Sequence, residues 1–471
     1  MKKIVNEREK FRIKSEKDHH IAPNTKIHQT PKLPLIAVAI LLLTASIANA
    51  AVSVQNITVK QRDPASGLVD IAYEIVSDKP DAEYSVSLTA RSAVTEPGLG
   101  SAPGIHTVRT FTGSGAEGAK VKAGRHQVVW NMKADAPDLK TDTLAIAVVV
   151  SSGTEQYLVI DLSAGADASS YPWRYAATPP DAASDACRTT ELWLRRIEAG
   201  TFTMGSPDDE EGRDPKLETQ HPVTLTQPFY IGVFEMTQQQ WQLVMGNNPS
   251  IFKKAADSAK YPVEAVSYND IRGAEAGAGW PESDAVDATS FMGRLRARTG
   301  LVCDLPTEAQ WEYACRAGTT TAIYSGKSLN LGDPRNDEVR AYVKLRKDYW
   351  SAATDELGRY CWWSGGKDAV TAGSTTAVGG YLPNAWGLYD LYGNAWEWCL
   401  DWRQNNLGTA AVTDPVGPSK GNGRMLRSGG WKNGAQFLRS AFRSNGWASP
   451  SINDYSYGFR VVIRPPVRAG Q

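Results

Sequence analysis

The sequence predicts two folded domains: a small all-β immunoglobulin-like sandwich, then a larger α+β domain rich in irregular coil. Three observations carry this prediction. Residues are apolar at every second position in the first third of the chain, while a few helices with clear start signals open the second domain. Gly and Trp are also numerous, at 41 and 15, as expected of a fold that fills its core with large rings instead of long regular elements.

The β domain is placed at 52–162. Val69, Ile71, Tyr73 and Ile75 alternate with Asp70, Ala72 and Glu74, and Tyr84, Val86 and Leu88 repeat the scheme. Further strands are expected at Gln127 to Trp130, Leu144 to Val150 and Tyr157 to Ile160, separated by Gly, Pro, Asp and Ser clusters. Within this domain, residues 113–118 match G-x-G-x-x-G formally. The dinucleotide fingerprint needs a helix after the last glycine, and a strand-like stretch follows instead, so the segment reads as a hairpin loop. Residues 163–190, rich in Ala, Ser, Asp and Pro, read as a linker.

The second domain is placed at 191–466. Thr237 with Gln240, and Thr307 with Gln310, form capping boxes that open two helices, the second of them ending at Gly318. Ala288, Phe291, Met292 and Leu295 have helical spacing, with Gly300 as a stop. From about 319 onward no long helical period survives.

Residues 1–50 read as a leader. A basic stretch precedes an apolar run from Leu35 to Ala48, too short to span a bilayer comfortably, and the run ends in Ala48-Asn49-Ala50. Both a cleaved secretory signal and a retained signal anchor place the rest of the chain outside the cytoplasm, and only an uncleaved anchor would tie it to a membrane. Lys plus Arg and Asp plus Glu each total 51, which leaves no net field to recruit nucleic acid. The 5 cysteines permit at most two internal disulfides, and their spacing matches no zinc pattern. The acidic loop of Asp208, Asp209, Glu210, Glu211 and Asp214 reads as a solvated charge run.

The second domain contains, in order, Gly200 to Ser206; Glu235-Met236-Thr237 with Trp241; Pro262-Val263-Glu264; Leu305 to Arg316; Asn384 to Asp390; Gly393-Asn394-Ala395-Trp396-Glu397-Trp398; Arg427-Ser428-Gly429-Gly430-Trp431; Arg439 to Arg443; and Gly458-Phe459-Arg460. This series resembles the sulfatase-modifying factor (formylglycine-generating enzyme) family. The resemblance implies a coil-rich variant of the C-type lectin fold with calcium sites. It also implies an enzyme that oxidises a sulfatase cysteine with oxygen through two cysteines that bind copper. Those cysteines follow the Gly-Gly-Ser-aromatic motif, where this chain has Asn433 and Leu438, and no Cys lies beyond Cys399. An amide and an isobutyl group cannot replace thiolates as soft ligands for Cu(I), so copper and formylglycine chemistry by the family's route are not expected. The module's one histidine, His221, excludes the three-His iron site of family relatives that make sulfoxides.

By the same resemblance, calcium is expected at the turn where Tyr392, Gly393 and Ala395 would offer carbonyls and Glu397 a carboxylate. A second calcium loop would fall at about 360–379. Trp431, Asn433, Phe437, Arg439, Arg443 and Trp447 are the expected contacts of a ligand groove, with the two arginines able either to clamp an anion or to form structural ion pairs. The reading is an exported, non-catalytic binding or scaffolding module for an extracytoplasmic peptide, protein or glycan. The alternative is an oxidoreductase related to the formylglycine-generating enzyme, using Cys361 or Cys399.

Overall fold

A computed structural model describes residues 52–63, 66–77, 81–93, 105–107, 111–114, 120–135, 143–152, 156–181, 184–324, 373–444, 446 and 448–465. The leader, most of the expected glycine-rich loop, Cys361, Trp447 and residues 360–372 of the second calcium loop lie outside these residues.

The N-terminal domain consists of antiparallel strands. Strands β1 (Val52–Asp63), β2 (Leu68–Ser77), β5 (Phe111–Ser114) and β7 (Gly124–Asn131) form one sheet in the order β1-β2-β7-β5. In a second sheet β3 (Tyr84–Ala93) pairs with β4 (Ile105–Thr107), β6 (Lys120–Val121) and β8 (Thr143–Ser152). The predicted alternation is visible in β2, where Val69, Ile71, Tyr73 and Ile75 are buried and the residues between them are not. Helix α1 (Met132–Asp135) caps the end of β7. Trp130, fully buried, donates from Nε1 to Asp135 at 2.8 Å, which satisfies the one polar atom of that ring.

The C-terminal α+β domain begins earlier than the sequence suggests. Strand β9 (Tyr157–Asp161) joins a sheet in the order β10-β9-β11-β14-β20-β15, with β10 (Trp173–Ala176), β11 (Glu191–Ile197), β14 (Phe229–Gly232), β15 (Cys303–Asp304) and β20 (Val462–Ile463). The assignment of 157–160 to the first domain and of 163–190 to a linker is therefore corrected. Tyr157, Leu158, Val159 and Ile160 are all buried, the continuous apolar run of a strand covered on both faces, not the alternation of a half-exposed one. The Ala- and Asp-rich stretch after it is fastened by side chains. Tyr171 donates to the carbonyls of Gly165 and Leu243, and Arg298 donates to the Tyr171 oxygen at 2.9 Å. A short helix, α2 (Ala186–Thr189), closes the stretch.

Strands β12 (Gly200–Met204), β13 (His221–Leu225) and β17 (Val412–Thr413) form a sheet in that order, and β16 (Trp396–Trp402) lies between β18 (Arg424–Arg427) and β19 (Tyr457–Gly458). The helices are α3 (Gln238–Met245), α4 (Tyr268–Arg272), α5 (Phe291–Thr299) and α6 (Glu308–Arg316). Both predicted capping boxes form, at Thr237 with Gln240 and Thr307 with Gln310, each satisfying backbone donors at a helix start for about 1 kcal/mol. Gly300 ends α5 at φ 70°, as expected. Helix α6 instead turns at Ala317, φ 45°, one residue before the predicted Gly318. Helix α4 was not anticipated; Ser267 and Asp270 make its capping box, with Asp in the place usually taken by Glu or Gln.

Candidate functional site

The turn before β16 places Gly393 (φ 75°) and Asn394 (φ 54°) in the left-handed region. Its polar groups meet protein partners. Ala395 N–H donates to Glu235 Oε1 at 2.8 Å, Asn394 Nδ2 donates to Glu235 Oε2 at 2.6 Å, and Ser428 Oγ donates to the Gly393 carbonyl at 3.1 Å. Tyr392 is directed into the core, where its hydroxyl lies 2.6 Å from Ser440 Oγ.

Glu397, fully buried, receives Arg460 on both oxygens, at 2.5 and 2.6 Å, and Trp311 Nε1 at 2.7 Å. A calcium ion at Glu397 would have to share those oxygens with a guanidinium already in contact, and the Gly393 carbonyl with a hydroxyl. As placed, Glu397 and the Gly393 carbonyl are taken up by protein donors and do not fit calcium, and no chemistry is derived through that ion. Among the described residues, no group of three or more His, Cys, Asp or Glu is arranged to hold a metal. Burial, with Asp390 and Glu397 nearby, pushes the Glu235 carboxyl well up. Burial likewise pushes Asp390 to about 6, against the opposing Gly379 N–H and Arg460.

The two positions where the resemblance expects the family's cysteines are structural here. Asn433 Oδ1 accepts from Trp396 Nε1 at 2.9 Å and from Gly430 N–H at 3.0 Å, which ties the loop after β18 to the first residue of β16. Leu438 is fully buried and presses against Gly429, whose φ of 75° and missing Cβ make room for it. The Asn433 oxygen is taken by two protein donors, Leu438 is core, and neither side chain carries sulfur. The described cysteines, Cys187, Cys303, Cys315 and Cys399, are all unpaired and buried. Burial raises the thiols of Cys187, Cys303 and Cys315 to about 12 and that of Cys399 well above its ordinary value. A thiol so placed is protonated and poorly nucleophilic.

Two of the expected groove contacts are withdrawn. Arg439 and Arg443 face inward, each about 1% exposed. Arg439 donates to Glu210 at 2.5 Å and to both oxygens of Glu218 at 2.7 and 2.8 Å. Arg443 grips Glu308 in bidentate fashion at 2.6 and 2.8 Å and donates to the carbonyls of Leu217 and Gln404. Arg427 adds Glu312 at 2.6 Å, and Arg316 adds the same carboxylate at 2.8 Å. Burial alone would raise the Glu312 carboxyl, yet Arg316 and Arg427 hold it below its ordinary range. A guanidinium must be satisfied by a fork of acceptors when taken out of water, and this lattice supplies them where the coil lacks ladder hydrogen bonds. The acidic loop is corrected at one position: Asp208 and Asp209 are exposed, but Glu210 is buried against Arg439, burial pushing its carboxyl up while Arg439 opposes.

What remains near the expected groove is aromatic. Trp431, half-buried, meets Phe252 edge to face at 5.6 Å between centroids and lies 6.1 Å from Tyr455, itself 41% exposed. Lys432 Nζ sits 4.1 Å over the Tyr455 ring and 3.2 Å from Asp454. Trp431 Nε1 is a buried donor without a hydrogen-bond partner, and Oε2 of Glu264, beneath Phe252, is a buried acceptor without one. Phe437, half-buried, packs edge on against Phe442 at 5.1 Å. Phe252 and Tyr455 were missed from sequence because they come from loops far apart in the chain with no periodicity to mark them. Glu264 carried the only usable signal, a carboxylate inside the otherwise apolar Pro262 to Val266 stretch.

The sulfatase-modifying factor enzyme 1-like domain matches residues 163–465. The formylglycine-generating enzyme of Bos taurus is 24% identical over 337 residues, which span 63% of this chain and 82% of that protein. The Streptomyces coelicolor enzyme of the same name is 28% identical over 309 residues, spanning 58% and 90%. The serine/threonine-protein kinase pkn1 of Chlamydia pneumoniae is 28% identical over 282 residues, but the match spans only 38% of its length. Among solved structures, Treponema denticola variable protein 1 aligns with a TM-score of 0.42 at 27% identity, covering 59% of this chain and 96% of that one. The match to the family covers well over half of the chain, and it runs through the capped helices, the Gly-Asn turn and the arginine lattice just described. By that match, the chain belongs to the sulfatase-modifying factor enzyme 1-like family.

Proposed function

We propose that this protein is an exported, non-catalytic member of its family, a binding or scaffolding module for an extracytoplasmic peptide, protein or glycan, displayed on an immunoglobulin-like β domain. The observation that carries the reading is the fate of the two cysteine positions. Asn433 spends its oxygen on Trp396 and Gly430, and Leu438 is core. The recognition surface is the face of Trp431, Phe252 and Tyr455, because flat rings bordered by Lys432 and Asp454 suit a sugar ring or a peptide side chain.

The alternative, oxidation of a sulfatase cysteine, draws on the relatives named formylglycine-generating enzymes. One assay decides between them. Purified full-length protein is incubated with a cysteine-containing sulfatase peptide, copper and oxygen, and the peptide mass is followed. No aldehyde is expected, and its appearance would overturn the proposal. On the binding side, a glycan and peptide array should give hits that Trp431→Ala and Tyr455→Ala both abolish. Hits that survive both changes would remove the aromatic face from the reading. Cell fractionation with N-terminal sequencing tests export and cleavage after Ala50.

A further inference from the structure

A cavity of about 450 Å³ opens on another part of the C-terminal domain and shares no lining residue with the aromatic face. Its buried polar lining comes from Asp401, the sixth residue of β16, His221, the first of β13, Glu308, the first of α6, and Arg443. Its walls are apolar, with Leu407, Val412, Pro415 and Pro418 among the lining residues. The loop that forms the mouth is fixed in place: Asp414 accepts from Thr226 N–H and Oγ1 at 2.8 and 2.6 Å, and the Val416 carbonyl accepts from Trp280 Nε1 at 3.1 Å. Gly417, at φ 76°, passes so close to Asp401 that an added Cβ would lie 2.9 Å from the Asp401 Cβ and 3.2 Å from Oδ1. Oδ1 therefore faces the loop that lines the cavity, while Oδ2 accepts the Glu308 N–H at 2.7 Å and caps α6.

The charges around this cavity leave it acidic. The Arg443 guanidinium is consumed by Glu308 and two carbonyls, so that pair cancels. Arg424 approaches from β18 but lies over the Trp402 ring and donates to the Leu400, Trp280 and Ala278 carbonyls. His221 Nδ1 is 3.0 Å from the Thr219 carbonyl, which makes Nδ1 the protonated nitrogen and leaves Nε2 an acceptor in the neutral ring. Asp414 adds a carboxylate at the mouth.

We propose that this cavity binds a small organic ammonium ion, a primary amine with a short apolar tail, its charge held by Asp401 and His221 and its tail lying along Leu407, Val412, Pro415 and Pro418. With the Arg443 donors already taken, the atoms that Asp401 and His221 offer are acceptors, the walls are apolar, and a cation replaces the water that a buried carboxylate has lost. Burial and the neighbouring Glu308 raise Asp401 to about 7, and a bound cation favours the ionised carboxylate, its proton passing to solvent.

Calorimetric titration of the full chain with n-butylammonium chloride tests the proposal, with n-butanol as the uncharged control. One-to-one saturable binding is expected at pH 8. It should weaken about tenfold at pH 6, where an acid titrating near 7 is roughly one-tenth ionised instead of nine-tenths. Asp401→Asn keeps an oxygen for the Glu308 N–H and should weaken binding at least tenfold. Val416→Trp retains Asp401 and closes the mouth, and should abolish binding. Absence of saturable binding to the unaltered protein at pH 8 would overturn the proposal, as would equal affinity for n-butanol, or unchanged affinity in either variant. Failure here would leave the proposed function untouched, since the aromatic face is tested with different variants and ligands.

Discussion

Replacing Arg439 with Met asks whether the buried ion lattice holds the coil-rich half of the domain together. In the native protein Arg439 satisfies two acids at once, with side-chain exposures of 0% for Arg439 and Glu218 and 3% for Glu210. Methionine fills most of the volume but leaves both carboxylates buried without the guanidinium that contacts them. Breaking such a pair from one side costs about 3–5 kcal/mol. At roughly 2–4 °C per kcal/mol for a domain of this size class, the melting temperature should fall on the order of 10 °C. The loss should depend on pH with a definite sign. Orphaned buried acids bind protons more readily folded than unfolded, so they destabilise as pH rises, and the deficit should shrink as pH falls from 8 toward 5. Thermal melts of both proteins at pH 5, 6.5 and 8 provide the assay. Adding Glu210→Gln and Glu218→Gln to Arg439→Met should recover at least half of the loss at pH 8. A drop under about 2 °C, or a deficit of equal size at all three pH values, would refute the argument that these charges are bound to each other out of water.

Glu264 is raised to about 7, burial being the main cause, so its folded form holds a proton that the unfolded chain releases between about 4.5 and 7. This group's contribution therefore falls as pH rises through that window, and Glu264→Gln should melt higher than the native protein at pH 8 and equal to it at pH 5. Asn433→Ala removes the acceptor for Trp396 Nε1 and Gly430 N–H and should cost about 1–3 kcal/mol, read by denaturant titration. Arg460 already neutralises Glu397, so exchanging excess calcium for chelator should move the melting temperature by less than about 1 °C; a larger fall would place a cation at that turn. Cys187, Cys303, Cys315 and Cys399 should resist a thiol reagent in the native protein and react after unfolding, which mass mapping of the labelled peptides distinguishes.

Local features were the most legible in the sequence. Alternation marked β2 and β3, Thr followed three residues later by Gln marked the starts of α3 and α6, and the order of short motifs marked the family. Each of these is a relation between residues a few positions apart, which the chain states directly. The reading went astray where burial is set by partners distant in sequence. Tyr157 to Ile160 looked like one more strand of the first domain, and only the pairing of β9 with β11 shows which sheet it completes.

The site follows the same division. That Asn433 and Leu438 carry no sulfur was written in the sequence. That the Asn433 oxygen is already spent, and that Arg439 and Arg443 are pillars and not a ligand clamp, was decided by tertiary structure alone. An arginine's type is the same on a surface and in a core. Its role depends on whether Glu210, Glu218 and Glu308, more than a hundred residues away, reach its guanidinium before water does.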